Sequence, residues 1–439
     1  MQNSVLNVES RVSDAKKIKK NLYGKPQTIL AVFTAGMGET ALNEVQFILN
    51  NLWFKQKFTS EFSLSKNVIR IDQIHLFAMT ELLMRSQSLS DIRLVIFEGS
   101  ASSKEMFRKK CMGIHWHFFL NKNMTLKIKV NSVASRAFHE TGLKEILGDI
   151  VNEYVDSLVS GENTGETTIL YADLYQNRLT ISLSLAGEPL YKRGYRHVLS
   201  ASAPLREDAA FCCLDKALHF VKKIDPDYLP ETVFIPFSGT GTFAFEYLQS
   251  RFKFSPVLFF REYAFVKMPF FNPENFNFLL KKARENFLKA DDDIHFICID
   301  HSKNAISSFI ENMKNVKNTF LEQEFSVTEK MIEYGEEDFF EMDFRKKITG
   351  RHVFMPLNPP YGIRMGRNSH SEDLYKKIAN RVNEVAQITQ KAGKKLLGFI
   401  LCPDEKSWSL FCNTIKNVKM ETWHFMQGGL DIRVCQFFL

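Results

Sequence analysis

Two grains of hydrophobic patterning divide the chain, one before and one after Pro204. In the first, Leu126-Lys127-Ile128-Lys129-Val130 alternates apolar and basic side chains, which predicts a strand with one buried face. Thr28 to Phe33 and Ile92 to Phe97 are apolar runs of strand length. Glu39 to Asn50, Asp72 to Met84 and Leu143 to Val159 repeat apolar residues at three and four positions and predict helices. Thr168 to Tyr175 and Arg178 to Ala186 predict a hairpin turning at Gln176-Asn177. The order is α+β, and the polar, Gly-bearing stretch Gly161-Glu162-Asn163-Thr164-Gly165-Glu166 is the expected domain boundary.

After Pro204 the pattern becomes α/β. Leu205 to Val221 predicts a helix, Val233 to Phe237 a strand, and Phe243 to Leu248 a further helix. An aromatic insert runs from Phe259 to Phe287, and Ile294 to Ile299 predicts a buried strand ending in Asp300, with Ser302 capping the next helix. Strands near Val353, Leu396 and Val434 complete a largely parallel sheet, whose ligands belong at the carboxyl ends of its strands.

Candidate chemistry gathers at those strand ends. Pro236-Phe237-Ser238-Gly239-Thr240-Gly241-Thr242 is a Gly-x-Gly turn between a strand and a helix. Its glycines admit close backbone approach, and the helix start offers N–H groups to an anionic ligand. A tight turn without ligand is the alternative. Asp300 is placed to accept the ribose hydroxyls of a nucleoside cofactor. Asp338 follows another strand-like stretch and is either an adenine contact or a surface acid. Downstream stands Asn358-Pro359-Pro360-Tyr361-Gly362. The amine on a nucleobase is a poor nucleophile because its lone pair is delocalised into the ring. An Asn side-chain oxygen and the Pro359 carbonyl can accept its two N–H bonds and redirect that lone pair, while Tyr361 stacks on the base. A Pro-Pro surface turn is the rival reading of this motif alone. Together, the two motifs imply an S-adenosylmethionine site beside a target-amine site.

Composition adds little beyond bounds. At 439 residues the chain can bury two or three cores. Its net charge of +7 mildly favours a polyanionic partner. Tyr191-Lys192-Arg193-Gly194-Tyr195-Arg196-His197 interleaves aromatic and basic residues and reads either as an RNA contact through Lys192, Arg193, Tyr195 and Arg196 or as a solvated loop. The seven cysteines are scattered with no C-x-x-C, as in a reduced compartment. His115 and His117 flank Trp116 in what reads as a half-buried strand, so no metal is expected. The N-terminus is polar and no apolar run reaches spanning length, which sets the expectation of a cytoplasmic protein that does not enter a membrane.

Nearly end to end, the chain resembles the THUMP-domain class of S-adenosylmethionine-dependent RNA guanine-N2 methyltransferases. Leu126 to Phe138 resembles the THUMP core. Ser182-Leu183-Ser184-Leu185-Ala186-Gly187-Glu188-Pro189-Leu190-Tyr191-Lys192-Arg193-Gly194-Tyr195-Arg196 is similar to that family's inter-domain hairpin, and Ala203-Pro204-Leu205-Arg206-Glu207 to the helix start before its cofactor loop. Tyr263-Ala264-Phe265 and Gln427-Gly428-Gly429-Leu430 match its aromatic insert and C-terminal hairpin. The nearest relative in this resemblance is the bacterial 23S rRNA enzyme, in the form without a fused second methyltransferase. The chain departs from the family at Ile235 and Ile363, where acids are usual, and at Ser302-Lys303, where Asp-Pro is common; Arg364 is retained.

The resemblance implies an α+β RNA-binding region, ferredoxin-like over 1–70 and THUMP over 71–165, then a linking segment over 166–203 and a Rossmann-like class I methyltransferase domain over 204–439. It implies S-adenosylmethionine held by Pro236, Ser238, Gly239, Gly241, Thr242, Asp300, Asp338 and Asn358, and chemistry at Asn358, Pro359, Pro360 and Tyr361. RNA is the expected partner, touched by Lys192, Arg193, Tyr195, Arg196 and Arg364, with ribosomal RNA ahead of transfer RNA. A DNA adenine methyltransferase or a non-catalytic RNA-binding assembly factor are the other readings.

Overall fold

The computed structural model describes residues 16–55, 59–134, 139–159, 167–196, 204–287, 294–324, 327, 331–361 and 368–439. They fall into two compact units, one within Met1–Phe33, Ala41–Tyr191 and Pro256–Glu285, the other within Thr34–Thr40, Lys192–Ser255 and Asn286–Leu439.

The first unit is built on one eight-stranded sheet. Its strands are β1 (Gln27–Phe33), β2 (Glu61–Leu64), β3 (Val68–Ile74), β4 (Leu89–Ser100), β5 (Thr125–Val133), β6 (Ser157–Leu158), β7 (Thr167–Tyr175) and β8 (Arg178–Ser184), in the order β2-β3-β1-β4-β8-β7-β5-β6. Alternation along β5 buries Leu126, Ile128 and Val130, and the helix Glu140–Val151 buries Leu143, Leu147 and Val151. The β7–β8 hairpin turns where expected, with Gln176 and Asn177 both left-handed at φ of 47° and 63°.

Three local expectations are corrected. Residues 72–74 continue β3: alternation turns Ile69 and Ile71 inward, and an irregularity at the left-handed Gln73 (φ 60°) shifts the register so that Ile74 is inward as well; the helix is Leu76–Arg85. The helix begun near residue 140 stops at Val151, and Ser157–Leu158 leaves as an edge strand beside β5. His115, Trp116 and His117 enter a short 3-10 turn, Trp116–Phe118, whose buried indole donates to the Cys111 carbonyl at 3.0 Å. The boundary expected at 161–166 lies outside the described residues. The strands before and after it, β5 and β7, pair in parallel from Thr125↔Thr167 to Val133↔Tyr175.

The aromatic insert up to Glu285 belongs to the first unit although it lies within the C-terminal half of the sequence, while Phe287 falls in the second. Phe265 N donates to the Leu185 carbonyl at 3.1 Å, and the Arg261 guanidinium reaches the carbonyls of Glu188 and Pro189 at 2.7 and 2.8 Å.

The second unit carries a seven-stranded sheet of β9 (Thr232–Ile235), β10 (His295–Asp300), β11 (Ile332–Glu336), β12 (His352–Leu357), β13 (Lys395–Cys402), β14 (Lys419–Gln427) and β15 (Leu430–Phe438). The order is β11-β10-β9-β12-β13-β15-β14, parallel through β13 and closed by the antiparallel hairpin β14–β15. Continuous apolar strands such as Thr232-Val233-Phe234-Ile235 are buried along their length because helices cover a parallel sheet on both faces. The order reverses between β9 and β12, and a ligand crevice forms at such a switch point.

Gly398 in β13 is a point of close approach: an added Cβ would lie 2.9 Å from the Met355 carbonyl oxygen and collide with the Phe437 ring. Gly398→Val should therefore destabilise the protein by about 1–3 kcal/mol, the range for overpacking a core. Urea unfolding checks this, and an unchanged midpoint would mean the sheet yields more easily than its packing indicates.

Candidate active site

Parallel pairing brings four chemical groups to one edge of the second sheet. Ile235 pairs with Cys298 and Val233 with Phe354, so β9, β10 and β12 present their carboxyl ends together. The Gly-x-Gly turn leaves β9, Asp300 ends β10, Asp338 follows β11 and Asn358 follows β12.

The turn is held by backbone groups. Ser238 N donates to the Ile299 carbonyl at 2.9 Å, and Gly241 N to the Ser238 carbonyl at 2.9 Å. Gly241 is left-handed at φ 91°, and a Cβ there would sit 2.6 Å from Phe245 Cζ and 2.8 Å from Phe309 Cδ2. Only glycine fits. Gly239, also left-handed at φ 52°, would meet nothing within 4 Å, so space opens over its backbone. Asn312, buried in the helix Lys303–Glu322, fixes the Thr240 carbonyl from beneath with an Nδ2 donor at 2.9 Å.

Asp300 links this turn to its neighbour. Its Oδ2 accepts from Gly239 N at 3.0 Å and its Oδ1 from Ser302 N at 2.9 Å. Ser302 in turn caps the helix Lys303–Glu322 through Ala305 N at 3.4 Å. An ionised carboxylate has about four lone-pair positions, so two remain for a ligand's hydroxyls. Asp338 is exposed, and its Oδ1 accepts from Phe340 N at 2.8 Å in a local turn.

On the other side of the switch point, Asn358 is half-buried, Pro359 buried, Pro360 exposed and Tyr361 half-buried. Burial raises the Tyr361 phenol well above its ordinary range, with the Cys213 and Cys402 thiols as lesser contributors. Gly362, Ile363 and Arg364 lie outside the described residues, as does His197.

The residues fit a nucleoside cofactor on one direct observation. The Ser238 and Thr240 hydroxyls are buried in the turn without a hydrogen-bond partner, and a buried polar group left unpaired is costly unless a ligand or water satisfies it. Among the described residues, no group of three His, Cys, Asp or Glu is placed to hold a metal.

The basic-aromatic segment is placed differently from the expectation of an RNA-facing strip. Arg193 is fully buried, with Nη2 3.2 Å from Glu246 Oε2, and Tyr195 is 1% exposed, its hydroxyl donating to Glu246 Oε1 at 3.0 Å. Arg196 is half-buried against Thr242 and Glu207, while Lys192 is exposed. Sequence reasoning overlooked Glu246, Glu207 and Asn312. The signal for Glu246 was its place as a lone acid in the apolar run Phe243-Ala244-Phe245-Glu246-Tyr247-Leu248.

Two cavities in the molecule contain none of these residues: one of about 690 Å³ walled by Phe344, Arg345, Arg381 and Lys394, and one of about 1050 Å³ walled by Tyr23, His117, Tyr154 and Phe270.

Known proteins share this architecture. Residues 193–399 match the family model described as RMKL-like, methyltransferase domain. The ribosomal RNA large subunit methyltransferase K/L of Dichelobacter nodosus is 25% identical over 313 residues, 69% of this chain and 40% of that protein. The counterpart in Shewanella sediminis is 24% identical over 67% of this chain and 39% of its own length. The chain thus spans about two fifths of the length of these relatives. Among solved structures, SMU.472 complexed with SAH superposes with a TM-score of 0.72 at 18% identity, covering 94% of this chain and 98% of that one. The chain is similar in sequence to methyltransferases of the K/L type, and its second sheet has the class I, Rossmann-like methyltransferase fold.

Glu207 offers a test of the buried charges beside this site. Burial lifts its carboxyl from 4.5 to about 7, opposed by the nearby Arg196 guanidinium. The folded protein therefore holds a proton that the unfolded chain has released, and this contribution to stability is present at low pH and lost as pH rises through about 7. Glu207→Gln should melt close to the parent at pH 5 and above it at pH 8. Equal melting temperatures at both pH values would show the carboxyl to be unperturbed.

Proposed function

We propose that this protein transfers a methyl group from S-adenosylmethionine to the exocyclic N2 amine of a guanine in structured RNA, with 23S rRNA as the substrate. One observation carries the reading: the Asn358-Pro359-Pro360-Tyr361 motif leaves β12 beside the switch point at which β9 and β10 supply the glycine turn and Asp300. The homology to ribosomal RNA methyltransferases supports the substrate class.

Bound S-adenosylmethionine supplies an electrophilic methyl group on a sulfonium. The chain's own contribution is orientation. Asp300 would accept the ribose hydroxyls, and the Ser238 and Thr240 hydroxyls, which have no partner in the turn, would hold the amino-acid portion. The Asn358 amide oxygen and the Pro359 carbonyl accept the two N–H bonds of guanine N2, which turns its lone pair away from the ring. Tyr361 stacks on the flipped base, an aromatic face suited to sandwiching it. No strong base is needed, since the methylated amine is acidic enough to release its proton to water. Catalysis is positioning and electrostatics. In the same reading, the first unit as a whole grips RNA mainly through phosphates, joined by Lys192 and Arg364; the expected division at residue 70 falls inside β3, so the ferredoxin-like and THUMP regions share one sheet.

Incubating the protein with S-adenosylmethionine and ribosomal RNA from a strain lacking its gene, then analysing nucleosides by mass spectrometry, tests the reaction. N2-methylguanosine is expected; N6-methyladenosine instead would overturn the assignment of the base.

Asn358→Ala should lower the methylation rate by about 100-fold to 1,000-fold, the usual loss for one transition-state hydrogen bond, while affinity for S-adenosylhomocysteine stays nearly unchanged. Near-normal turnover would remove Asn358 from the reaction. Asp300→Ala should weaken S-adenosylhomocysteine binding by roughly 10-fold to 100-fold, from the loss of charge-assisted hydrogen bonds. Calorimetric titration reads this directly, and an unchanged dissociation constant would move the ribose contact to another residue.

A further inference from the structure

A circuit of buried charge surrounds the start of the helix Thr242–Phe252, and the proposed chemistry does not use it. Arg196 Nη2 donates to Thr242 Oγ1 and to the Leu205 carbonyl, both at 3.0 Å. Its Nε lies 3.2 Å from Glu207 Oε1, a contact of opposite charges without a hydrogen bond. Thr242 opens the helix after the glycine turn and Glu207 opens the helix Glu207–Lys222, so one guanidinium ties the first turns of both. The stretch that carries Arg196 is itself anchored: Arg193 and Tyr195 reach the two Glu246 oxygens, Gln249 Nε2 donates to Glu246 Oε1 at 3.0 Å, and Asn315 Nδ2 donates to the Tyr195 carbonyl at 3.0 Å.

This arrangement is expensive. A guanidinium beside a helix N-terminus faces the positive end of the dipole. Glu207 is 3% exposed, and charging it there is opposed by burial and by Glu246. A buried pair is weak evidence for stability, and its better explanation is that it fixes a geometry. What needs fixing is adjacent: the Ser238 and Thr240 hydroxyls, buried and without hydrogen-bond partners, sit in the turn that runs directly into Thr242.

We infer that Arg196 and Glu207 are positioning residues for the cofactor, holding Thr242 so that the Ser238–Gly241 turn is pre-formed for binding, at a cost in stability. The inference rests on the cofactor reading above. Neither side chain is given a contact with the ligand; both act through Thr242. Glu207 faces Arg196 and Arg193 as cations and Glu246 as an anion, with Asp208 adjacent to it in the same helix turn. Cofactor affinity therefore follows the charge on Glu207: it is full where the carboxylate is ionised, above about pH 7, and declines below it.

The experiment is calorimetric titration of the full-length protein, Glu207→Gln and Arg196→Lys with S-adenosylhomocysteine from pH 6 to pH 8.5, with thermal melts of the same samples. At pH 8, Glu207→Gln should bind roughly 3-fold to 30-fold more weakly, the range for residues that couple to a site without touching its ligand, while melting above the parent. The parent's affinity should weaken from pH 8 to pH 6 and that of Glu207→Gln should stay flat. Arg196→Lys should also bind more weakly, because an ammonium does not reproduce the planar guanidinium that donates to Thr242 and the Leu205 carbonyl while lying against Glu207. A purely structural role would move affinity and stability in the same direction, and that result, or an unchanged affinity in Glu207→Gln, would overturn the inference. Failure of Glu207→Gln to fold would contradict the stated cost of the pair. A parent protein that does not bind S-adenosylhomocysteine would instead overturn the cofactor reading itself.

Discussion

The second unit depends on one carboxylate. Asp300 accepts the N–H of Gly239 on one oxygen and that of Ser302 on the other, so the turn after β9 and the helix after β10 are set by the same group. Backbone geometry makes this possible: parallel register keeps Ile235 opposite Cys298, and the chains leaving β9 and β10 emerge side by side. A charge 8% exposed is tolerable there because charge-assisted hydrogen bonds to two backbone donors replace much of its hydration. The same bonds leave about half of its acceptor capacity for a ligand, with His301 Nδ1 3.6 Å from Oδ1. Structure and binding are thus functions of one side chain.

A second set of charges shows how the crevice is kept in shape. Glu246 gathers Arg193, Tyr195 and Gln249, and Arg196 bridges the helix starts at Glu207 and Thr242. Isolated buried charges would be prohibitively unfavourable, and even paired ones rarely add net stability. Their value lies in specifying one arrangement of the glycine turn, which leaves two hydroxyls unpaired in wait for a ligand. The basic side chains that attract attention in the sequence are in this segment mostly internal struts.

Much of the fold was legible because it is local. The β7–β8 hairpin follows from Gln176-Asn177 between two strand-length runs, and the carboxyl-end placement of Asp300 and Asn358 follows from apolar strands that stop at a polar residue. What escaped was non-local. Arg193 and Glu246 are separated by 53 positions, and nothing in the spacing of Arg193, Tyr195 and Arg196 indicates that two of them point inward. The aromatic insert carries no local mark of membership in the first unit, which arises from bonds to the carbonyls of Leu185, Glu188 and Pro189. A polar stretch at 161–166 resembled a domain boundary because parallel pairing of β5 with β7 cannot be read from the residues between them.

The most direct test of the central claim is a crystal structure of the protein with S-adenosylhomocysteine. Both ribose hydroxyls should lie on the Asp300 carboxylate, with the amino-acid portion over the Gly239 backbone and within hydrogen-bonding distance of the Ser238 or Thr240 hydroxyl. A ligand seated away from the carboxyl ends of β9 and β10, or a ribose held by Asp338 in place of Asp300, would contradict that claim.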